Sequence, residues 1–193
     1  LEDRIYPGLQ HVTSASISCD QQSFLTSHSE YPYIRISKNG APFGAYSVAH
    51  FKDKLLDAQW HPRQFYFVAR SQLESDVVIL YQYNPLTEKV SLMQRMHVGS
   101  SVSSMKWSED GENLFVVAEP SLLCGAGLRV YSFSDGALAV ADSIDSQVAG
   151  SLCVSDFAFS TRRRVLVVAG KPQNFFSGLI MPFLAHEKKN IFG

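Results

Sequence analysis

The sequence predicts an all-β protein made of four repeated units, each with four short antiparallel strands. An apolar anchor recurs as Ile17, Trp60, Trp107 and Phe159, at intervals of roughly 40–50 residues. Each anchor has an apolar residue two positions before it and another seven positions after it. Turn-forming residues lie between the anchor and the later apolar residue. Apolar residues at i and i+2 share one face of a strand, so each anchor is expected to end a half-buried strand. We expect Trp60 and Trp107 to be core anchors between units, and Trp107→Ala to cost about 3–5 kcal/mol.

The third unit shows the plan most clearly. Its first strand ends at Trp107, the Asp-Gly pair at 110–111 forms a tight turn, and a second strand follows over 114–118. A third strand covers 128–131, and a second Asp-Gly pair at 135–136 leads into a fourth. Units of this length with four strands are typical of β-propeller blades, which we prefer to an ordinary β-sandwich.

The other units repeat this order with weaker signals. Third strands are predicted over 33–36, 77–81 and 179–181. The first strand of the first unit is rich in serine and lacks a strong apolar alternation, so it is the weakest strand of the set. The four blades are expected within one propeller domain covering residues 1–193, at 11–48, 49–97, 99–148 and 149–193.

The stretches from His97 to Ala118 and from Ala49 to Pro62 resemble the WD40-like family, from the histidine before the inner strand through the turn after it. The Gly-His pair and the closing Trp-Asp pair of that family are absent. The resemblance implies a protein-interaction scaffold in a larger ring of about seven blades. It also implies that other blades or a partner subunit cover an end blade.

Composition excludes several partners. The chain is 46% hydrophobic and 18% charged, with a formal net charge of −1, so no global field attracts nucleic acid or an anionic membrane. Its apolar runs are too short to cross a bilayer. The three cysteines, Cys19, Cys124 and Cys153, have no metal-ligand spacing and favour an intracellular compartment. The start at Leu1 rather than methionine indicates a fragment of a longer protein.

Local motifs predict no enzyme, cofactor or metal site. The sequence has no Walker loop, H-E-x-x-H, G-x-S-x-G or C-x-x-C motif. His61 stands in a predicted turn beside Pro62 and is interpreted as a turn residue. The alternative is an enzymatic propeller of the lactonase or prolyl-peptidase type, for which Asp57 and Asp156 on innermost strands are the nearest candidates.

Partner binding is expected on the loops that join second to third strands, because loops on a rigid scaffold carry recognition. The turn at 162–164, with three arginines, is interpreted as a solvated hairpin tip. The candidate contact residues are Arg70, Glu74, Glu119, Lys171 and Phe175.

Overall fold

The computed structural model describes residues 12–28, 33–38, 46–50, 55–119, 127–144, 152–160 and 165–172. These ranges contain strands and turns and no helix, so none of the described residues forms a helix able to cross a membrane. The strands in chain order are β1 Val12–Ile17, β2 Ser23–His28, β3 Tyr33–Lys38, β4 Tyr46–His50, β5 Leu55–Trp60, β6 Tyr66–Ser71, β7 Val77–Asn84, β8 Lys89–His97, β9 Ser101–Trp107, β10 Asn113–Glu119, β11 Gly127–Ser134, β12 Ala137–Ile144, β13 Leu152–Ser160 and β14 Val165–Pro172.

The strands form consecutive antiparallel sheets, which confirms the predicted fold class. Strands β1–β4 form blade 1, β5–β8 form blade 2 and β9–β12 form blade 3, each paired in chain order. Strands β13 and β14 pair with each other, and the predicted strand at 179–181 lies outside the described residues. The chain divides into two compact units, Leu1–His97 and Val98–Gly193. The assignment of all four blades to one domain stays a prediction.

The turn after the innermost strand is closed in the same way in blades 1 and 3. Ser18 and Ser108 directly follow the anchors, and each hydroxyl accepts the backbone N–H five residues later at 2.9 Å. Each hydroxyl also donates to the carboxylate two residues on, Asp20 or Asp110, at 2.5 Å. The hydrogen bond from Ser18 holds the pKa of Asp20 below its usual value. Equal geometry in the two blades supports the repeat alignment.

His61 takes the same position in blade 2. Its Nδ1 atom accepts hydrogen bonds from the backbone N–H groups of Arg63 and Gln64, at 3.1 and 3.0 Å. The imidazole is only 2% exposed. His61 is therefore a turn-closing residue, with one ring nitrogen committed to the backbone.

Blades 1 and 2 share one apolar core. Trp60 and Phe67 lie on one face of blade 2, here called its front face. They form one hydrophobic cluster with Leu25, Ile34 and Ile36 of blade 1. Those three residues lie on what we call the back face of blade 1. Trp60 is 4% exposed and the other four are at most 1% exposed, so little of the contact meets water. The alternation of side chains along each strand sends one set of residues to each face.

The front face of blade 1 is not covered in the same way. Ile17 and Phe24 occupy the repeat positions of Trp60 and Phe67, yet they are 48% and 42% exposed. The anchor position is thus filled by an apolar residue in both blades and buried only in blade 2.

Two serines of blade 1 bind the innermost strand of blade 2. The Ser14 hydroxyl accepts from the backbone N–H of Ala58 at 2.9 Å, and the Ser16 hydroxyl accepts from that of Trp60 at 3.0 Å. These N–H groups point away from β6, because alternate residues of an antiparallel strand bond to one neighbour only. The side chains of β1 thereby satisfy backbone donors on the open edge of β5.

Candidate functional site

The loop between β6 and β7, at what we call the upper edge of blade 2, holds an ordered apolar tip. The Ser71 hydroxyl accepts from the backbone N–H groups of Leu73 and Glu74, at 3.1 and 3.2 Å. The Glu74 carbonyl accepts from the N–H of Val77 at 2.9 Å. These bonds fix the loop while the Leu73 side chain is 73% exposed. An apolar side chain is therefore presented to solvent on a loop with defined geometry.

Charged side chains of both signs surround this tip. Glu74 forms an ion pair with Arg95 on β8. Asp76 Oδ2 lies 3.3 Å from Nδ1 of His97, which is on β8 like Arg95. Exposed pairs of this kind contribute about 0–1 kcal/mol, so their effect on stability is small. Their consequence is a polar surface beside the loop that carries Leu73.

A more buried polar cluster lies nearer the innermost strands. Asp57 follows an irregularity in the pairing of β5 and stands opposite Arg70 of β6. Burial raises the pKa of the Asp57 carboxyl above its usual value, while the charge of Arg70 and a hydrogen bond with Ser14 act in the opposite direction. A carboxyl with a raised pKa holds its proton to higher pH than an exposed one, which is a property of acid–base catalysts.

The structure places the five predicted contact residues in different surroundings. Glu74 is exposed at the upper edge, whereas Arg70 is half-buried beside Asp57. Glu119 ends β10 and Lys171 lies opposite Cys153 in β14, and in both only the backbone is described. Phe175 lies outside the described residues. A role in partner binding for this set stays a prediction.

Sequence reasoning missed Leu73, Arg95 and His97. Leu73 lies between the predicted contact residues Arg70 and Glu74, and as the one leucine of that loop it was the available signal. Arg95 and His97 come from another strand and reach the loop only through the pairing of β7 with β8. Among the described residues, no group of three or more His, Cys, Asp or Glu side chains could hold a metal ion.

No protein-family model and no curated protein matches the chain. Its structure is similar to solved β-propellers. A candidate 6-phosphogluconolactonase from Bacteroides uniformis aligns with a TM-score of 0.65 and 14% identity over 92% of this chain and 54% of that chain. The periplasmic gluconolactonase of Pseudomonas aeruginosa gives 0.62 and 17% over 83% and 47%. The propeller domain of Cps50 from Myceliophteria thermophila gives 0.54 and 14% over 82% and 50%.

These similarities show the fold, a partial β-propeller of three or four blades. The chain spans about half the length of each of these solved structures. WD40 proteins and lactonases both appear among the similar structures, so the fold is common to a binding class and an enzyme class. Function must be argued from residues.

The prediction that the chain is not an enzyme was wrong, because several similar structures are described as lactonases. That prediction relied on the absence of local catalytic motifs. In a propeller, the residues around the central channel come from different blades, so their spacing in sequence carries no motif. Asp57, Arg70 and Ser14 likewise come from three strands in two blades, so no local motif marks them.

Proposed function

We propose that this chain is a protein-interaction module of an intracellular multiprotein complex and that a partner protein docks on the upper edge of blade 2. The observation that carries the proposal is the exposure of Leu73, 73%, on a loop held by three hydrogen bonds, two to the Ser71 hydroxyl and one to the Glu74 carbonyl. An ordered loop loses little conformational entropy when a partner binds, which favours affinity. The resemblance of the sequence to WD40-like repeats supports the same role.

The surroundings of Leu73 fit the anatomy of a binding site. Contact energy at protein interfaces is concentrated in a few desolvated apolar or aromatic anchors, which polar residues surround. Here the pairs Glu74–Arg95 and Asp76–His97 supply such a rim. A partner with an apolar pocket and groups of both charges around it would complement this edge.

A capture experiment tests the proposal. We expect Leu73→Asp to lower recovery of at least one partner from cell extract at least tenfold, about 1.4 kcal/mol or more, because a carboxylate cannot enter an apolar pocket unpaired. Leu92→Asp is the matched control, since Leu92 is 55% exposed on β8 of the same blade. Quantitative mass spectrometry of the captured proteins gives the readout. Equal recovery of every partner by the two variants would contradict the proposal.

The second candidate function is hydrolysis of a sugar lactone, which the half-buried carboxyl of Asp57, with its raised pKa, favours. In this reaction Asp57 takes a proton from a water molecule that attacks the lactone carbonyl carbon. The ring C–O bond then breaks and the proton passes to the departing ring oxygen. The positive charge of Arg70 beside Asp57 would stabilise the negative oxygen that forms on the attacked carbon.

Lactone hydrolysis is measured by the acid that it releases, with gluconolactone and 6-phosphogluconolactone as substrates in a pH-stat. We expect Asp57→Asn to lower kcat/KM at least about 100-fold, because the amide cannot accept the proton. Asp135→Asn is the control, since Asp135 is an exposed turn residue whose positive φ of 52° asparagine also adopts. No hydrolysis above the uncatalysed rate by the unmodified chain would eliminate this candidate.

A further inference from the structure

The lower edge of blade 2, opposite the upper edge, contains a groove of about 660 Å³. It lies between the turn that joins β5 to β6 and the turn that joins β7 to β8. Its lining comes from residues 63–66, 82–87, 89 and 91, all within one blade. Binding sites usually have volumes of about 300–1,000 Å³, so the groove is large enough for a ligand.

Hydrogen bonds hold both walls of this groove. On one side, His61 Nδ1 fixes the turn that carries Arg63. On the other side, Asn84 Oδ1 accepts from the backbone N–H groups of Leu86 and Thr87, at 3.0 and 3.2 Å. A bond of 2.8 Å from the backbone N–H of Tyr83 to the carbonyl of Phe65 joins the two walls. The groove is thus formed before any ligand binds, which lowers the entropy lost on binding.

The charge in the groove has one sign. Its lining contains two cations, Arg63 and Lys89, and no Asp or Glu. Glu88, beside Lys89 in sequence, forms an ion pair with Lys38 of blade 1 instead. Neither Arg63 nor Lys89 forms an ion pair with any residue that the structure describes. Both cations are therefore available for an anionic group.

Apolar surface and neutral hydrogen-bonding groups lie between the cations. Leu86 is 93% exposed, and Phe65 packs its inner side against the core cluster while remaining part of the lining. The Tyr66 hydroxyl accepts from Gln82 Nε2 at 3.1 Å, across the pairing of β6 with β7. The groove therefore offers two cations, an apolar surface and polar groups along one edge of a blade.

We propose that this groove binds a short segment of a partner protein in which acidic side chains alternate with apolar ones. The acidic groups pair with Arg63 and Lys89, while an apolar side chain covers Leu86 and Phe65. Complementary charge supplies specificity, and the apolar contact contributes to affinity. This second surface rests on the proposed role in protein binding and is separate from the Leu73 loop.

Random 12-residue peptides displayed on phage test this assignment on the 193-residue chain, and no partner needs to be known beforehand. Peptides are selected on the unmodified protein and counter-selected on Arg63→Gln/Lys89→Gln, which removes two positive charges. We expect the selected peptides to be enriched in Asp or Glu next to Leu or Phe. By fluorescence anisotropy, their affinity should fall at least tenfold in the double variant and at least threefold in Leu86→Ser.

The control variant is Gln22→Glu/Gln72→Glu, which changes the net charge equally at exposed positions outside the groove. It should bind the peptides as the unmodified chain does. Circular dichroism checks that all variants are folded. Peptides without acidic enrichment, or an equal loss of affinity in the control, would overturn the assignment. Since no cell extract is used, that failure is distinct from a failed capture through Leu73.

Discussion

Trp60→Ala should lower the free energy of unfolding by about 3–5 kcal/mol, as other large-to-small changes in a core do. The indole is 4% exposed and meets Phe67 and Tyr83 edge-on, with centroids 5.3 and 5.7 Å apart. Its removal leaves a cavity in the cluster that also includes Ile34 and Ile36 of blade 1. Urea denaturation followed by circular dichroism measures the change.

Ile17→Ala is the matched comparison, because Ile17 has the same repeat position on the uncovered face of blade 1. With 48% of its surface exposed, Ile17 should contribute only about 1 kcal/mol. Trp107 is partly buried and contacts Phe133 edge-on at 5.4 Å, so Trp107→Ala should cost less than Trp60→Ala. Equal losses in Trp60→Ala and Ile17→Ala would contradict the described packing of blade 2 on blade 1.

The double variant Ser14→Ala/Ser16→Ala should destabilise the first two blades by about 2–6 kcal/mol. It leaves the backbone N–H groups of Ala58 and Trp60 without their acceptors, and each buried donor that loses its partner costs about 1–3 kcal/mol. Hydrogen exchange should show faster exchange at these two amides than at those of β7.

Ser37→Ala provides the control for this variant. Ser37 lies on β3 of the same blade, and its hydroxyl makes no hydrogen bond with the described residues. Its removal should change stability by less than about 0.5 kcal/mol. If the backbone amides of Ala58 and Trp60 exchange hydrogen as slowly in Ser14→Ala/Ser16→Ala as in the unmodified chain, the prediction is wrong, because water then replaces the serine hydroxyls without loss of stability.

Strands and turns could be predicted because their signals are local. Asp110-Gly111 and Asp135-Gly136 mark tight turns, and Gly111 and Gly136 both have the positive φ, 75°, that such turns require. The serine-rich β1 gave a weak signal, because hydrophobic alternation detects only apolar contacts. In the structure, Ser14 and Ser16 make polar contacts to a neighbouring blade, which no apolar pattern reports.

The sites could not be predicted, because they depend on neighbours distant in sequence. Arg63 and Lys89 line one groove only because β6 pairs with β7 and β7 pairs with β8. The exposure of Leu73 follows from how its loop folds and could not be inferred from its residue type. Asp57 was a candidate because it lies on an innermost strand, but its neighbours Arg70 and Ser14 come from other strands and could not be inferred from the sequence.

The closing of the first turn by Ser18, His61 and Ser108 has a consequence for how such a repeat diverges. In all three turns the backbone N–H of this residue donates to the carbonyl five residues later, at 2.9, 2.8 and 2.8 Å. The side-chain bonds differ, because the serine hydroxyls accept from the N–H five residues on, whereas His61 Nδ1 accepts from those two and three residues on. Serine and histidine differ in size and chemistry, yet each accepts backbone N–H groups within the turn that it begins. A repeat that conserves its backbone hydrogen bonds can therefore lose detectable sequence similarity while each copy keeps the same turn.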